Sequence, residues 1–187
     1  MFITIINDCR DQNAMARQST RLSSFFNTST STVGVDSFNE FEAGAHLIDV
    51  LDAGMGADGV ILVNVAPRHG KGKKWPNGTP FGYFWYKQTL VVSTVDGYAL
   101  SLVKKLKLVD SIELLDLPTV IDTMAEKGHV NKDYRDHIVN TQFRSYEFTP
   151  RVARWLKQGL TLPSTTYSLN KVDDIPNVVT FVDNFGN

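Results

Sequence analysis

The chain has 187 residues, 42% of them hydrophobic and 21% charged, with a formal net charge of −1. This length suits one domain of about 150 residues with an appendage, and the composition is too apolar for intrinsic disorder. The near-zero charge argues against nucleic-acid and membrane-surface partners, and a lone cysteine, Cys9, excludes an internal disulfide and any multi-cysteine metal site.

Phe2–Ile6 is a short apolar run ending at polar Asn7-Asp8, the pattern of a buried strand feeding a loop. It is too short for a signal-peptide core, and no window reaches the roughly 18 apolar residues of a membrane span. A cytoplasmic location is therefore expected. Ala14–Phe26 carries Met15, Leu22, Phe25 and Phe26 at helical spacing, and Thr32–Val35 is a candidate strand. Glu40–Leu51 reads as a helix burying Phe41, Ala45, Ile48 and Leu51. Gly54–Asp58 is a turn ahead of the strongest strand, Val60–Val63.

Phe81–Tyr86 and Thr89–Ser93 pattern as a hairpin, followed by a helix over Tyr98–Leu106 and an extended stretch, Ile112–Leu115. Val120–Lys127 and Lys132–Asn140 are helical, and Pro150 opens a short amphipathic helix that Gly159 stops. Leu160–Pro176 reads as a linker to a terminal strand, Val178–Val182. Alternating strands and helices predict an α/β fold, a three-layer sandwich with a largely parallel, Rossmann-like sheet. Residues 1–160 form the main domain and 161–187 a linker into further structure. Ligands of such sheets bind beyond the carboxyl ends of the strands, which singles out Asn7-Asp8, Ala66–Lys74 and Thr94–Gly97.

Asp8 follows the first strand, where a carboxylate can accept two hydrogen bonds from a ribose diol or cap the next helix. Cys9 lacks the arginine of a phosphatase loop, because Met15 stands at that position, so it reads as a small buried apolar residue. Pro67–Lys74 is the most cationic stretch and follows the strongest strand; its amides and side chains suit an anion, or form a solvated surface loop. It is not a Walker loop. Among four histidines, His69 alone lies in a strand-end loop where a general base would stand. No histidine pair has metal-ligand spacing, so no metal is expected.

Five stretches, in order, resemble the S-adenosylmethionine hydroxide adenosyltransferase and fluorinase family. They are Ile3–Asp8, Phe41–Ala45 with Val60–Gly70, Thr94–Gly97, Asn140–Gly159 with its Phe143-Arg144-Ser145-Tyr146-Glu147 core, and Phe181–Asn187. The resemblance implies nucleophilic displacement at C5′ of S-adenosylmethionine, with methionine leaving. Water or hydroxide gives adenosine; a halide gives a halogenated nucleoside. It implies no cofactor, since S-adenosylmethionine is the substrate, and a homotrimer with sites between subunits.

In that reading Asp8 orients the ribose, and the loops around Ala66 and around Phe143–Ser145 flank the nucleophile. Asp183, Phe185 and Asn187 contact the methionine and adenine ends. The family's water-activating residues are replaced: Ala66 stands for its Asp, Lys73 for its Arg, and Arg144 or Phe143 for its His. His69 as base, with Arg68 and Lys73, is the expected substitute set, and Ser145 matches the small residue at the halide position of the fluorinase branch. The family's C-terminal barrel is expected to be absent or truncated. A non-catalytic nucleoside-binding protein on the same scaffold is the reading from another class.

Overall fold

The computed structural model describes residues 1–9, 11–71, 73–75 and 79–186. Among these residues, seven strands form one sheet in the order β2-β1-β3-β5-β4-β6-β7. They are β1 (Phe2–Asn7), β2 (Ser31–Gly34), β3 (Gly59–Asn64), β4 (Phe81–Tyr86), β5 (Thr89–Thr94), β6 (Ser111–Leu115) and β7 (Thr165–Ser168). The helices are α1 (Gln12–Phe26), α2 (Glu40–Gly54), α3 (Ser101–Lys105), α4 (Leu117–Glu126), α5 (Lys132–Asn140), α6 (Arg144–Glu147) and α7 (Thr149–Lys157).

The apolar runs explain the layers. Along β1 and β3, successive side chains point to opposite faces, and both faces are buried. Ile3, Ile5, Val60 and Leu62 pack with Leu22, Met124, Ile138, Val152 and Trp155, so α1, α4, α5 and α7 cover one face. Ile6, Ile61, Val63 and Val91 pack with Ala43, Leu47, Leu51 and Val103, so α2 and α3 cover the other. Each large side chain sealed in this way contributes about 1.5–3 kcal/mol.

The sheet is parallel in one half and antiparallel in the other. β2, β1, β3 and β5 are joined by parallel pairings, whereas β4, β6 and β7 are added antiparallel. The β4–β5 hairpin causes the switch, because a two-residue connection, Lys87-Gln88, returns the chain antiparallel. One consequence fixes the site. The end of β5 at Thr94 lies beside the start of β4 at Phe81, which lies beside the end of β6 at Leu115.

Three expectations are corrected. Leu160–Pro176 is not merely a linker: Thr165–Ser168 is the edge strand β7, pairing with β6, and Leu169–Lys171 is a 3-10 turn. Val178–Val182 forms no strand and leaves Val179 and Val182 exposed. On α2 the buried residues are Ala43, Gly44, Leu47 and Leu51 rather than Phe41, Ala45 and Ile48. Gly44 is the reason. A Cβ there would lie 3.1 Å from the carbonyl oxygen of Ala99, so the helix turns its smallest residues to the 98–99 turn. Phe41 instead stacks on Tyr98 with ring centroids 4.5 Å apart. Among the described residues, no helix is long and apolar enough to cross a membrane.

Candidate functional site

β1 ends at Asn7, whose side chain is sealed from solvent. Its Oδ1 accepts from the Cys9 amide at 2.8 Å and its Nδ2 donates to Gln18 Oε1 at 2.9 Å. Gln18, buried on α1, donates onward from Nε2 to Ser145 Oγ at 3.0 Å. A short relay therefore carries the position of the first strand end to α6. The Phe143–Ser145 segment is not an open loop: Phe143 is the N-cap residue of the four-residue α6.

Asp8 does not cap α1. Asp11 does, accepting from Ala14 N at 2.8 Å. The Asp8 carboxylate instead accepts from the amide of Phe38 at 3.0 Å, tying the loop after β2 to the end of β1. The Arg68 guanidinium lies 5.3 Å from the Phe38 ring centroid, so the loop after β3 reaches the same place. Burial, with the charges of Asp8 and Asp11, raises the Cys9 thiol pKa, and Arg68 opposes the rise. A raised thiol is a poor thiolate nucleophile at neutral pH.

Asp96, buried in the turn after β5, organises the cationic loop. Its carboxylate accepts from the amide of Lys74 at 3.0 and 3.1 Å and from that of Trp75 at 3.3 Å. Its own amide donates to Thr79 Oγ1 at 2.9 Å. Those two loop amides are thus already engaged by a carboxylate of the protein and do not cradle an anion. The Lys74 ammonium reaches the Lys171 carbonyl at 3.3 Å and Asp173 at 3.1 Å. Arg68, Lys71 and Lys73 stay exposed.

Burial raises the Asp96 carboxyl pKa, opposed by the Lys74 and Trp75 amides and by the charges of Lys74 and Lys73. Burial also raises that of Glu40, and Asp96 and Asp8 add repulsion against a lowering hydrogen bond from the backbone. Gly97 lets these groups meet. At φ +77° it carries no side chain, and a Cβ would fall 2.6 Å from Glu40 Oε1 and 2.8 Å from Pro67 Cδ.

Of the residues singled out in the sequence, Asp8 and Arg68 meet at Phe38 beyond β1 and β3, Ser145 is linked through Gln18 to Asn7 at the end of β1, and Lys73 is exposed in the loop after β3. Ala66 is half-buried in the loop leaving β3, and His69 is exposed two residues beyond Pro67. Phe143 is 62% exposed, its ring 5.7 Å from the Arg17 guanidinium. Arg144 lines a separate cavity of about 380 Å³ with Trp75, Phe81, Leu115 and Phe148. In the tail, Asp183 Oδ1 accepts from the Phe185 amide at 2.9 Å, and Phe185 is 91% exposed. The tail meets the body through Phe181, 4.6 Å from the His46 ring on α2. Asn187 lies outside the described residues.

Gln18, Glu40 and Asp96 carry much of the local geometry; the sequence analysis names neither Gln18 nor Glu40 as a site residue, and Asp96 only as part of the Thr94–Gly97 stretch. Gln18 had a legible signal, since it falls on the apolar stripe with Met15, Leu22 and Phe25. A buried amide on such a stripe needs polar partners. Among the described residues, no group of three or more His, Cys, Asp or Glu side chains is placed to hold a metal ion.

No family model matches the sequence, and neither does any curated protein. Among solved structures, the chain is similar to an uncharacterized conserved protein from Thermotoga maritima. The TM-score is 0.66 at 16% identity, over 98% of this chain and 69% of that one. At that identity the likeness extends to the fold alone: an α/β sandwich around a sheet with a parallel, Rossmann-like core.

Proposed function

We propose that the chain cleaves S-adenosylmethionine, with water or hydroxide displacing methionine from C5′ to give adenosine. The observation carrying this reading is that Asp8 and Arg68 meet at Phe38 beyond the carboxyl ends of β1 and β3, while Ser145 is tied through Gln18 to Asn7 at the end of β1. These are the positions that the family resemblance assigns to the ribose and the nucleophile. Strand carboxyl ends in α/β sheets are where such ligands bind.

In this mechanism the water oxygen bonds to C5′ as the C5′–S bond breaks, and the bonding pair returns to the methionine sulfur. A sulfonium is already a good leaving group, so catalysis is chiefly alignment and removal of water from the nucleophile. Asp8 orients the ribose hydroxyls, and Arg68 and Lys73 supply positive charge for the methionine carboxylate. His69 takes the proton lost by water. The exposed tail carrying Asp183 and Phe185 is contributed to the edge of another copy in a homotrimer.

One observation favours a halide in place of water. Ser145 Oγ accepts from Gln18 Nε2, which leaves the hydroxyl proton free to donate to an anion. Mass spectrometry of products, after incubation with S-adenosylmethionine with and without chloride, separates the readings. Adenosine and methionine, lost in Asp8→Ala and reduced in His69→Ala, support hydrolysis. A chlorinated nucleoside moves the assignment to halide transfer. Intact substrate under both conditions overturns catalysis, and calorimetry with adenosine then tests a binding role.

A further inference from the structure

A cleft of about 290 Å³ lies between α1 and α6, lined by Ala16, Arg17, Thr20, Arg21, Ser24 and Tyr146. Its lining residues carry two guanidinium groups and three hydroxyls, and no carboxylate is among them. Arg21 is held in place: Nη1 meets Glu147 Oε2 at 3.3 Å and Nη2 donates to the Tyr146 hydroxyl at 2.5 Å. A phenol oxygen that accepts in this way keeps its own proton to donate.

Arg17 is exposed, and its guanidinium lies 4.4 Å from the Tyr146 ring centroid and 5.7 Å from that of Phe143. It makes no ion pair among the described residues. Stacking on rings fixes the guanidinium plane while leaving its edge donors available. Thr20 and Ser24, one helical turn apart on α1, complete the donor set.

We propose that this cleft binds a small phosphomonoester, its phosphoryl group held between Arg17 and Arg21 with the Tyr146 and Thr20 hydroxyls donating to the remaining oxygens. Paired guanidinium groups match the planar sets of oxygens on a phosphoryl group. Two guanidinium groups flanked by two hydroxyls suit the three terminal oxygens and higher charge of a phosphoryl group better than a carboxylate. The volume of about 290 Å³ lies at the lower bound of small-molecule sites, as a small phosphomonoester requires, and the chain's net charge of −1 disfavours a nucleic-acid backbone. The cleft adjoins the Phe143–Ser145 segment of the proposed cleavage site through Phe143 and Tyr146, but its assignment does not rest on that reaction.

Isothermal titration of the full chain with glycerol 3-phosphate, and in parallel with a twelve-residue oligothymidylate, tests the assignment. Saturable binding of glycerol 3-phosphate at one site per chain is expected, weakened about tenfold or more by Arg17→Gln. Arg154→Gln, which removes an exposed cation outside the cleft, should change it less than about twofold. Three results overturn the proposal: no saturable binding of the phosphomonoester, equal weakening by Arg154→Gln, or preference for the oligonucleotide. Unchanged circular dichroism of Arg17→Gln excludes unfolding as the cause of a loss.

Discussion

Gln18 and Ser145, 127 positions apart in the chain, are joined by a hydrogen bond of 3.0 Å from Nε2 to Oγ. The Gln18 Oε1 accepts from the fully buried Asn7 side chain, so a single amide couples the end of β1 to α6. The pairing holds the only described hydroxyl of the Phe143–Ser145 segment against the strand edge, and it explains a polar residue on an apolar helix face.

Gln18→Leu keeps the helix and most of the volume but strands the Asn7 amide without its acceptor. A buried donor left unmade costs about 1–3 kcal/mol. Urea denaturation should show that loss. In the proposed reaction the same variant lowers kcat more than it raises KM. Wild-type stability in Gln18→Leu would mean that the relay holds nothing.

Glu147 is buried at the centre of a cationic cluster. Arg151 Nη1 reaches its Oε2 at 2.8 Å, Arg21 Nη1 reaches it at 3.3 Å, and the Tyr134 hydroxyl donates to Oε1 at 3.2 Å. Burial raises its carboxyl pKa, but Arg21, Arg151 and these hydrogen bonds outweigh burial and hold it below the usual value. A lowered acid contributes stability that is full above the unfolded carboxylate pKa and lost as pH falls through the folded value. Glu147→Ala should cost about 3–5 kcal/mol at neutral pH by leaving two arginines uncompensated. The deficit should shrink in acid, and a deficit that is constant with pH would contradict the assignment.

Glu40 has the opposite sign. Its raised pKa means that the stability contribution is full below the unfolded carboxylate pKa and lost as pH rises through the folded value. The ionised carboxylate therefore costs stability at neutral pH, beside Asp96 and Asp8. Glu40→Gln should raise the urea midpoint at neutral pH and flatten its decline from mildly acidic to neutral conditions. A lower midpoint would show that the charge is needed, by the α2 N-terminus or by a bound cation.

Gly97→Ala tests the junction of α2 with the loops after β3 and β5. The left-handed backbone at φ +77° and the 2.6 Å approach to Glu40 Oε1 both penalise a methyl group. A loss of at least about 1 kcal/mol is expected, or about 2–4 °C in Tm for each kcal/mol in a domain of this size. A calorimetric Tm equal to that of the parent protein would show that the turn relaxes freely.

The local pattern was enough to locate most elements. β1, β3, the β4–β5 hairpin and α5 follow from apolar runs, turn positions and helical spacing, because period and length are properties of neighbouring residues. On α2, helical spacing points to Phe41, Ala45 and Ile48 as the buried face because it counts large apolar residues as buried. The close approach at Gly44 rewards small ones instead.

The sequence by itself determined an α/β chain with buried central strands, and named Asp8, Arg68, Lys73 and Ser145 as neighbours of the strand ends or of the α7 approach. Only the tertiary structure decided that β6 and Thr165–Ser168 extend the antiparallel half that the hairpin opens, and that Val178–Val182 does not join it. It alone joined Gln18 to Ser145 and set Asp96 under the cationic loop. The physical reason is that strand partners and buried polar pairs are long-range contacts. Their energy depends on which surfaces meet, and short stretches such as β7 carry no local excess of apolar residues to announce the choice.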